Sequence, residues 1–302
     1  MSRPTKSVVQ VIQEMPKRAF RWTLAFSFIP WFCLDAHSGL AYWLGVILSD
    51  AIIVACGLIA IKGRGASLIY ELKRVRFDYP LRYWAVGFLA SLCIANFSFN
   101  AMYRSHHFLV LYPLDGGGFS HTFGDLIFNI GTFTIVPIAE ELMFRGMLAR
   151  NEYFWKGKYG SIIFASLWFA SGHYHTNYLP TFMNAIVWCL ILRRTRNIAI
   201  SMTHHAAWNF LCSVPFFVSY AYPGYEGWHG FVPAPLFEVV RWGSLAVAIG
   251  CYYFLFFRVG LMRPYRRGGA RRWWSRVIRI VKWRPRKAKH AKPLLRRTRA
   301  SA

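Results

Sequence analysis

An all-α, polytopic transmembrane helix bundle is the fold class this chain predicts, and three observations predict it. Of its 302 residues, 55 % are hydrophobic and 18 % aromatic, while only 16 % are charged. That balance lies outside the range of a soluble domain. Apolar runs recur along the chain, several of them near the roughly 20 residues that a helix needs to cross a bilayer. The basic residues collect between alternate runs, which is the pattern that fixes orientation in a membrane.

Met1–Arg21 is a short basic leader, with no small-residue cleavage site after an apolar core and hence no cleavable signal peptide. Trp22–Leu34 and Gly39–Ile61 are apolar, separated by Asp35–Ser38, and predict a tight hairpin of two spans; Asp50 falls within the second. Lys62–Arg82 is a basic loop. Tyr83–Met102 is a third span, and Tyr103–Asp125 a loop around the turn-rich Pro113-Leu-Asp-Gly-Gly-Gly118. Leu126–Leu148 is a fourth span of 23 residues. The basic segment Asn151–Lys158 follows, then two shorter runs, Gly160–His173 and Leu179–Leu192, each about 20 Å as a helix. Ile198–Phe217 and Val239–Phe257 complete a count of about eight, separated by the acidic-leaning Glu226–Glu238.

With eight spans, every basic segment falls on one side, so both termini are expected in the cytoplasm. The chain divides into a basic leader (1–21), amino-terminal spans and loops (22–125), a central core (126–217), a last loop and span (218–257) and a polybasic tail (258–302). The tail holds 17 Lys and Arg and no acid, so it supplies most of the net charge of +25. Within it, Trp274, Val277, Ile278 and Val281 recur at helical spacing between arginines. This predicts a helix lying on anionic lipid; the other reading is a disordered tail that only enforces topology. No nucleic-acid-binding motif accompanies the charge. The six cysteines sit in or beside apolar segments without CxxC spacing and read as packing residues.

The chemistry concentrates in the core. Glu140 and Glu141 lie inside the fourth apolar run, and Arg145 follows. Charge at the centre of a span costs roughly 2.5–3.5 kcal/mol by the milder scales, so two adjacent acids need a partner, a proton or water. Glu141 and Arg145 are four apart and share a helix face, where they can pair. Glu140 then points about 100° away, free for other work. His173 ends the fifth run in Phe169-Ala-Ser-Gly-His173, and the seventh carries His204, His205 and Asn209. His205 and Asn209 share a face, and His204 points elsewhere. Any one of these histidines could simply bond helix to helix. Counted at 1.5 Å per residue from the cytoplasmic ends, Glu140, His205 and His173 lie roughly 15, 12 and 20 Å deep. Three spans thus place Glu, His, His and Asn at similar depth, which describes a polar cavity inside a membrane.

Glu140-Glu141-x-x-x-Arg145, Phe169-x-x-x-His173 and His205-x-x-x-Asn209, in this order on successive apolar segments, resemble the three motifs of the CPBP family. These are the CAAX-protease and bacteriocin-processing, or Abi, membrane endopeptidases. The resemblance covers about 126–217. It implies a glutamate-type peptide-bond hydrolase acting on membrane-associated peptides or proteins. Glu140 and His173 would activate the attacking water, His205 and Asn209 would stabilise the oxyanion, and Glu141 with Arg145 would support the helix. The favoured expectation is a metal-free mechanism with no cofactor. If the enzyme is metal-dependent, Glu140, His173 and His205 would be the ligands, with zinc the expected ion. The protein is expected as a multi-pass component of a bacterial plasma membrane. Other classes remain open: a non-catalytic scaffold or peptide-immunity protein, or a proton-coupled transporter.

Overall fold

The computed structural model describes residues 4–15, 17–30, 39–102, 108–110, 122–148, 159–173, 177–221, 229–231 and 233–262. All of these lie in one compact unit, Met1–Pro264; a second unit, Tyr265–Ala302, falls outside the described residues, and with it the expected tail helix. Apart from one short strand pair, the elements are helical: α1 (Val8–Gln13), α2 (Lys17–Ser27), α3 (Gly39–Ile61), α4 (Leu68–Asp78), α5 (Leu81–Met102), α6 (Phe123–Phe133), α7 (Ile135–Glu140), α8 (Gly160–Ser171), α9 (Tyr178–Thr195), α10 (Ile198–Ala221) and α11 (Ala234–Tyr253). Strands β1 (Phe108–Val110) and β2 (His229–Phe231) pair antiparallel and tie together two segments expected as loops.

Three helical stretches are long and apolar enough to cross a membrane: Leu40–Ile61, Leu81–Ala101 and Ala234–Arg258. Phe123–Phe133 with Ile135–Gly146 makes a fourth if the bent pair is one span. Their outward faces carry large apolar side chains, among them Ile59, Val239, Trp242 and Ile249. Such surface is costly in water and suited to lipid.

The fourth apolar run departs from the straight helix its length suggested. It breaks after Phe133 and bends by 43°. Pro137 accounts for the break: it has no N–H to give the carbonyl of Phe133, and its ring crowds that carbonyl. The run then continues through α7 into a π-helical turn, Glu141–Leu148, which holds the charged residues. Such turns mark functional sites more often than ordinary helix. The bent pair packs alongside α3. Trp43 stacks on Phe128 at 3.7 Å and donates to Asp125, Ile47 meets Gly131, and Leu142 fills the notch at Gly57.

Two segments read as polar are structural. The leader contains α1, held by a capping box between Ser7 and Gln10. Val8, Val9, Val11 and Ile12 are buried against Ile61, Leu142, Leu192, Ile198 and Met202, which seats α1 under the π-helical turn. The basic loop 62–82 contains α4, whose Glu71 is buried. One oxygen of Glu71 accepts the Val8 N–H at 2.8 Å and the other the Ile198 N–H at 2.9 Å. A single carboxylate thus caps α1 and α10 at once. Asn197 donates to the Glu71 carbonyl and to Asp78, closing the junction.

Burial pushes the Glu71 carboxyl up from its ordinary 4.5 to about 7, although the N–H groups of Val8, Ile198 and Ala199 draw it down. Folding therefore takes up a proton between these values. The stability that this supplies is full below about pH 4.5 and is lost as pH rises through about 7. At about 1.4 kcal/mol per unit the effect is on the order of 3 kcal/mol. The melting temperature of the detergent-solubilised protein should fall between pH 5 and pH 8, and Glu71→Gln should flatten that slope. A wild-type melting temperature that climbs over the same interval would contradict the assignment.

Candidate active site

The site lies where the π-helical turn, α8, α9 and α10 converge. Glu141 is 0 % exposed, and its Oε1 lies 3.2 Å from Nη1 of Arg145, itself 1 % exposed. The pair expected from the i,i+4 spacing is thus present, and sealed. Arg145 is held further by aromatic faces: its guanidinium sits 4.2 Å from the centroid of Phe169 and 5.0 Å from that of Trp188. Both contacts add cation–π attraction where water is excluded.

His205 stands between the two acids. Its Nδ1 is 3.1 Å from Glu141 Oε1, and its Nε2 is 3.4 Å from Glu140 Oε2. Glu140 is 20 % exposed against 0 % for Glu141. One acid is locked in the interior, and the other is partly exposed. Asp50 on α3 also acts electrostatically on Glu140.

His173 lies just past the end of α8, where its Nδ1 meets the Phe169 carbonyl at 2.9 Å. A carbonyl only accepts, so Nδ1 carries a proton and Nε2 is left to face water or substrate. No direct bond joins His173 to Glu140 among the described residues. The Phe169 ring packs against both His173 and His205, its centroid 4.8 Å from the first and 5.7 Å from the second. Asn209 does something the sequence did not suggest. Its Nδ2 donates to the Thr132 carbonyl at 2.7 Å, beside the break after Phe133. It thereby satisfies a backbone group that the interrupted helix leaves over, which a membrane interior requires. One amide N–H of Asn209 is committed to this bond.

Among the described residues, no three His, Cys, Asp or Glu side chains are gathered to hold a metal ion. Of the expected alternative set, His205 Nε2 faces Glu140 Oε2 at 3.4 Å, and no bond joins either residue to His173 among the described residues.

Residues 122–211 match a family model described as type II CAAX prenyl endopeptidase Rce1-like. This central segment is thus similar to the type II CAAX prenyl endopeptidases of the CPBP family. No curated protein and no solved structure matches the chain. The Rce1-like segment begins at the cap of α6 and runs into α10, so it contains all of Glu140, Glu141, Arg145, His173, His205 and Asn209. With the apolar helices, this similarity points to an integral membrane protein.

Two residues of this site escaped the motif reading. Trp188, in the middle of α9, is buried with its ring stacked on His205 at 4.1 Å and 23°. Its indole N–H donates to Nδ1 of His204 at 3.0 Å. His204 in turn stacks on Phe88 of α5, centroids 4.5 Å apart. A tryptophan in a buried apolar run must find an acceptor for its N–H, and that requirement was the one sequence signal available.

Proposed function

We propose that this protein is a membrane-embedded endopeptidase that cleaves membrane-associated peptides or proteins with water activated by Glu140. The observation that carries the reading is the asymmetry around His205: Glu141 is sealed by Arg145, and Glu140 is the acid left accessible. Glu140 takes a proton from water, and the hydroxide adds to the scissile carbonyl. His173 Nε2 orients that water. The tetrahedral oxyanion is met by the Nε2–H of His205, whose ring carries a proton on each nitrogen between the two carboxylates, and by the second amide N–H of Asn209. The C–N bond then breaks as Glu140 returns the proton to the leaving nitrogen. Developing charge is stabilised by donors already in place, in surroundings drier than water, which is where such donors act most strongly. Glu141 accepts from His205 Nδ1 and so fixes the ring, as carboxylates fix histidines in hydrolases generally.

In this reading the step needs no metal. The chain crosses the membrane about eight times with both termini cytoplasmic, in a bacterial plasma membrane, and the tail at 258–302 rests on anionic lipid. The basic segments between the apolar runs support this orientation.

The test uses purified protein in lipid nanodiscs with peptides anchored in the same bilayer, some carrying a carboxy-terminal CAAX sequence with a prenyl group and some without. Mass spectrometry should find a new carboxy terminus in at least one anchored peptide. The rate should be unchanged after exhaustive chelation. Loss of cleavage on chelation with recovery on zinc would replace the metal-free step. Proton flux through proteoliposomes with no cleavage in the whole panel would replace the protease reading with a transporter.

A further inference from the structure

The tandem histidines pose a question that the proposed reaction leaves open. His205 faces the glutamates, whereas His204 faces the other way, is buried, and touches neither acid among the described bonds. A buried imidazole in an apolar span is costly unless it does something. His204 Nδ1 accepts the Trp188 N–H, so its proton sits on Nε2, and that N–H has no partner among the described residues. Its surroundings are built to receive it. Phe88 and Trp84 of α5 lie against the ring with centroids 4.5 and 5.1 Å away, and Gly87 lies under Nε2. A Cβ at position 87 would come within 2.8 Å of that nitrogen, nearer than such contacts are found.

The Trp188 indole has two engagements. Its N–H is held by His204, and its face lies flat on His205. A hydrogen bond at the ring edge fixes the plane of the indole, and stacking transmits that plane to the imidazole. The His205 plane decides whether Nδ1 and Nε2 can face Glu141 and Glu140 together. Stacking alone would let the two rings rotate as a unit; the bond to His204 stops that rotation.

We propose that His204 and Trp188 are a positioning pair for His205: the Trp188–His204 hydrogen bond locks the indole that sets the His205 ring between Glu140 and Glu141. Neither residue touches substrate. They act through His205, with Gly87 and Phe88 of α5 as the seat. The activity arm of the test rests on the endopeptidase reading, and the spectroscopic arm does not.

Four variants separate the roles. Trp188→Phe keeps an aromatic face and loses the donor. His204→Phe keeps the stack on Phe88 and loses the acceptor. His204→Asn restores an oxygen close to where Nδ1 was. The fourth is the Trp188→Phe/His204→Phe double variant. His204→Phe should lower kcat about 10²-fold with KM little changed, the scale expected when a catalytic group is misplaced by about 1 Å. His204→Asn should recover most of that loss. The double variant should be no worse than Trp188→Phe, because both changes break one bond.

In parallel, the ring nitrogens of His205 are followed by NMR in protein labelled with 15N-histidine, assigned through His205→Gln. The His205 signals should shift and broaden in His204→Phe and return in His204→Asn. If the cleavage assay shows no activity for any form of the protein, the endopeptidase reading falls and the NMR result still decides this proposal. His205 signals unmoved in folded His204→Phe, or strictly additive losses in the double variant, would overturn it.

Discussion

Alanine at Glu140 should lower peptide cleavage by about 10³-fold while the protein still folds. General-base catalysis is worth about 10²–10⁴-fold, and Glu140 is the accessible acid of the site. The fold should tolerate the change because Glu140 makes one long contact, 3.4 Å to His205, and is partly exposed. Losses at such positions stay near 1 kcal/mol. The check is a paired measurement of melting temperature and initial rate in nanodiscs. Glu141→Ala provides the contrast. Its carboxylate is wholly buried between Arg145 and His205, so its loss should cost stability as well as activity. Full cleavage by Glu140→Ala would falsify the glutamate mechanism. Equal stability losses at Glu140 and Glu141 would remove the division of labour between them.

Arg145→Met should destabilise the protein by about 3–5 kcal/mol, the range for deleting one partner of a buried ion pair. The cost arises because Glu141 would keep its charge inside the bundle without the guanidinium that neutralises it. Arg145→Lys should not repair the loss. The guanidinium carbon lies 4.2 Å from the Phe169 ring centroid and 5.0 Å from that of Trp188, and an ammonium has no delocalised plane to present to either ring. The double variant Arg145→Met/Glu141→Gln should regain much of the stability, since replacing both members removes both desolvation costs. It should not regain activity, because an uncharged amide at position 141 would no longer offer His205 a carboxylate. Thermal or denaturant unfolding of the wild type, the two single variants and the double variant closes the cycle, and additive losses would mean that the pair is not coupled.

Several features of the site were readable from residue spacing because they are local. The Glu141–Arg145 pair needs only a helix and a separation of four. The apolar runs at 39–61, 83–102 and 239–257 became helices close to those limits, since apolar composition and length settle the outcome in a membrane. The order of the three motifs, each short and on its own segment, was likewise enough to suggest the family that 122–211 match.

Other features depended on which surfaces meet, and periodicity does not carry that information. The apolar stripe of 8–12 looked like part of a basic leader until α1 was found packed under the π-helical turn. Glu71 looked like an ordinary loop charge, yet it accepts N–H groups that lie 63 and 127 residues away. The break after Phe133 was open to inference from Pro137, but the π-helical turn beyond it was not. The family resemblance implied an oxyanion role for Asn209, and packing showed one of its amide N–H groups on the Thr132 carbonyl.

By itself, then, the sequence determined that the chain forms apolar helices, that Glu141 and Arg145 pair, and that Glu140, His173 and His205 belong to one constellation of motifs. Only the tertiary structure decided that His205 bridges both acids, that Phe169 packs against both His205 and His173, and that Trp188 and His204 back the site. The physical reason is one of range. Helix geometry fixes where a side chain points relative to its own axis, whereas its partner is chosen by close packing between helices distant in sequence, where every buried polar group must find a counterpart on a neighbouring surface.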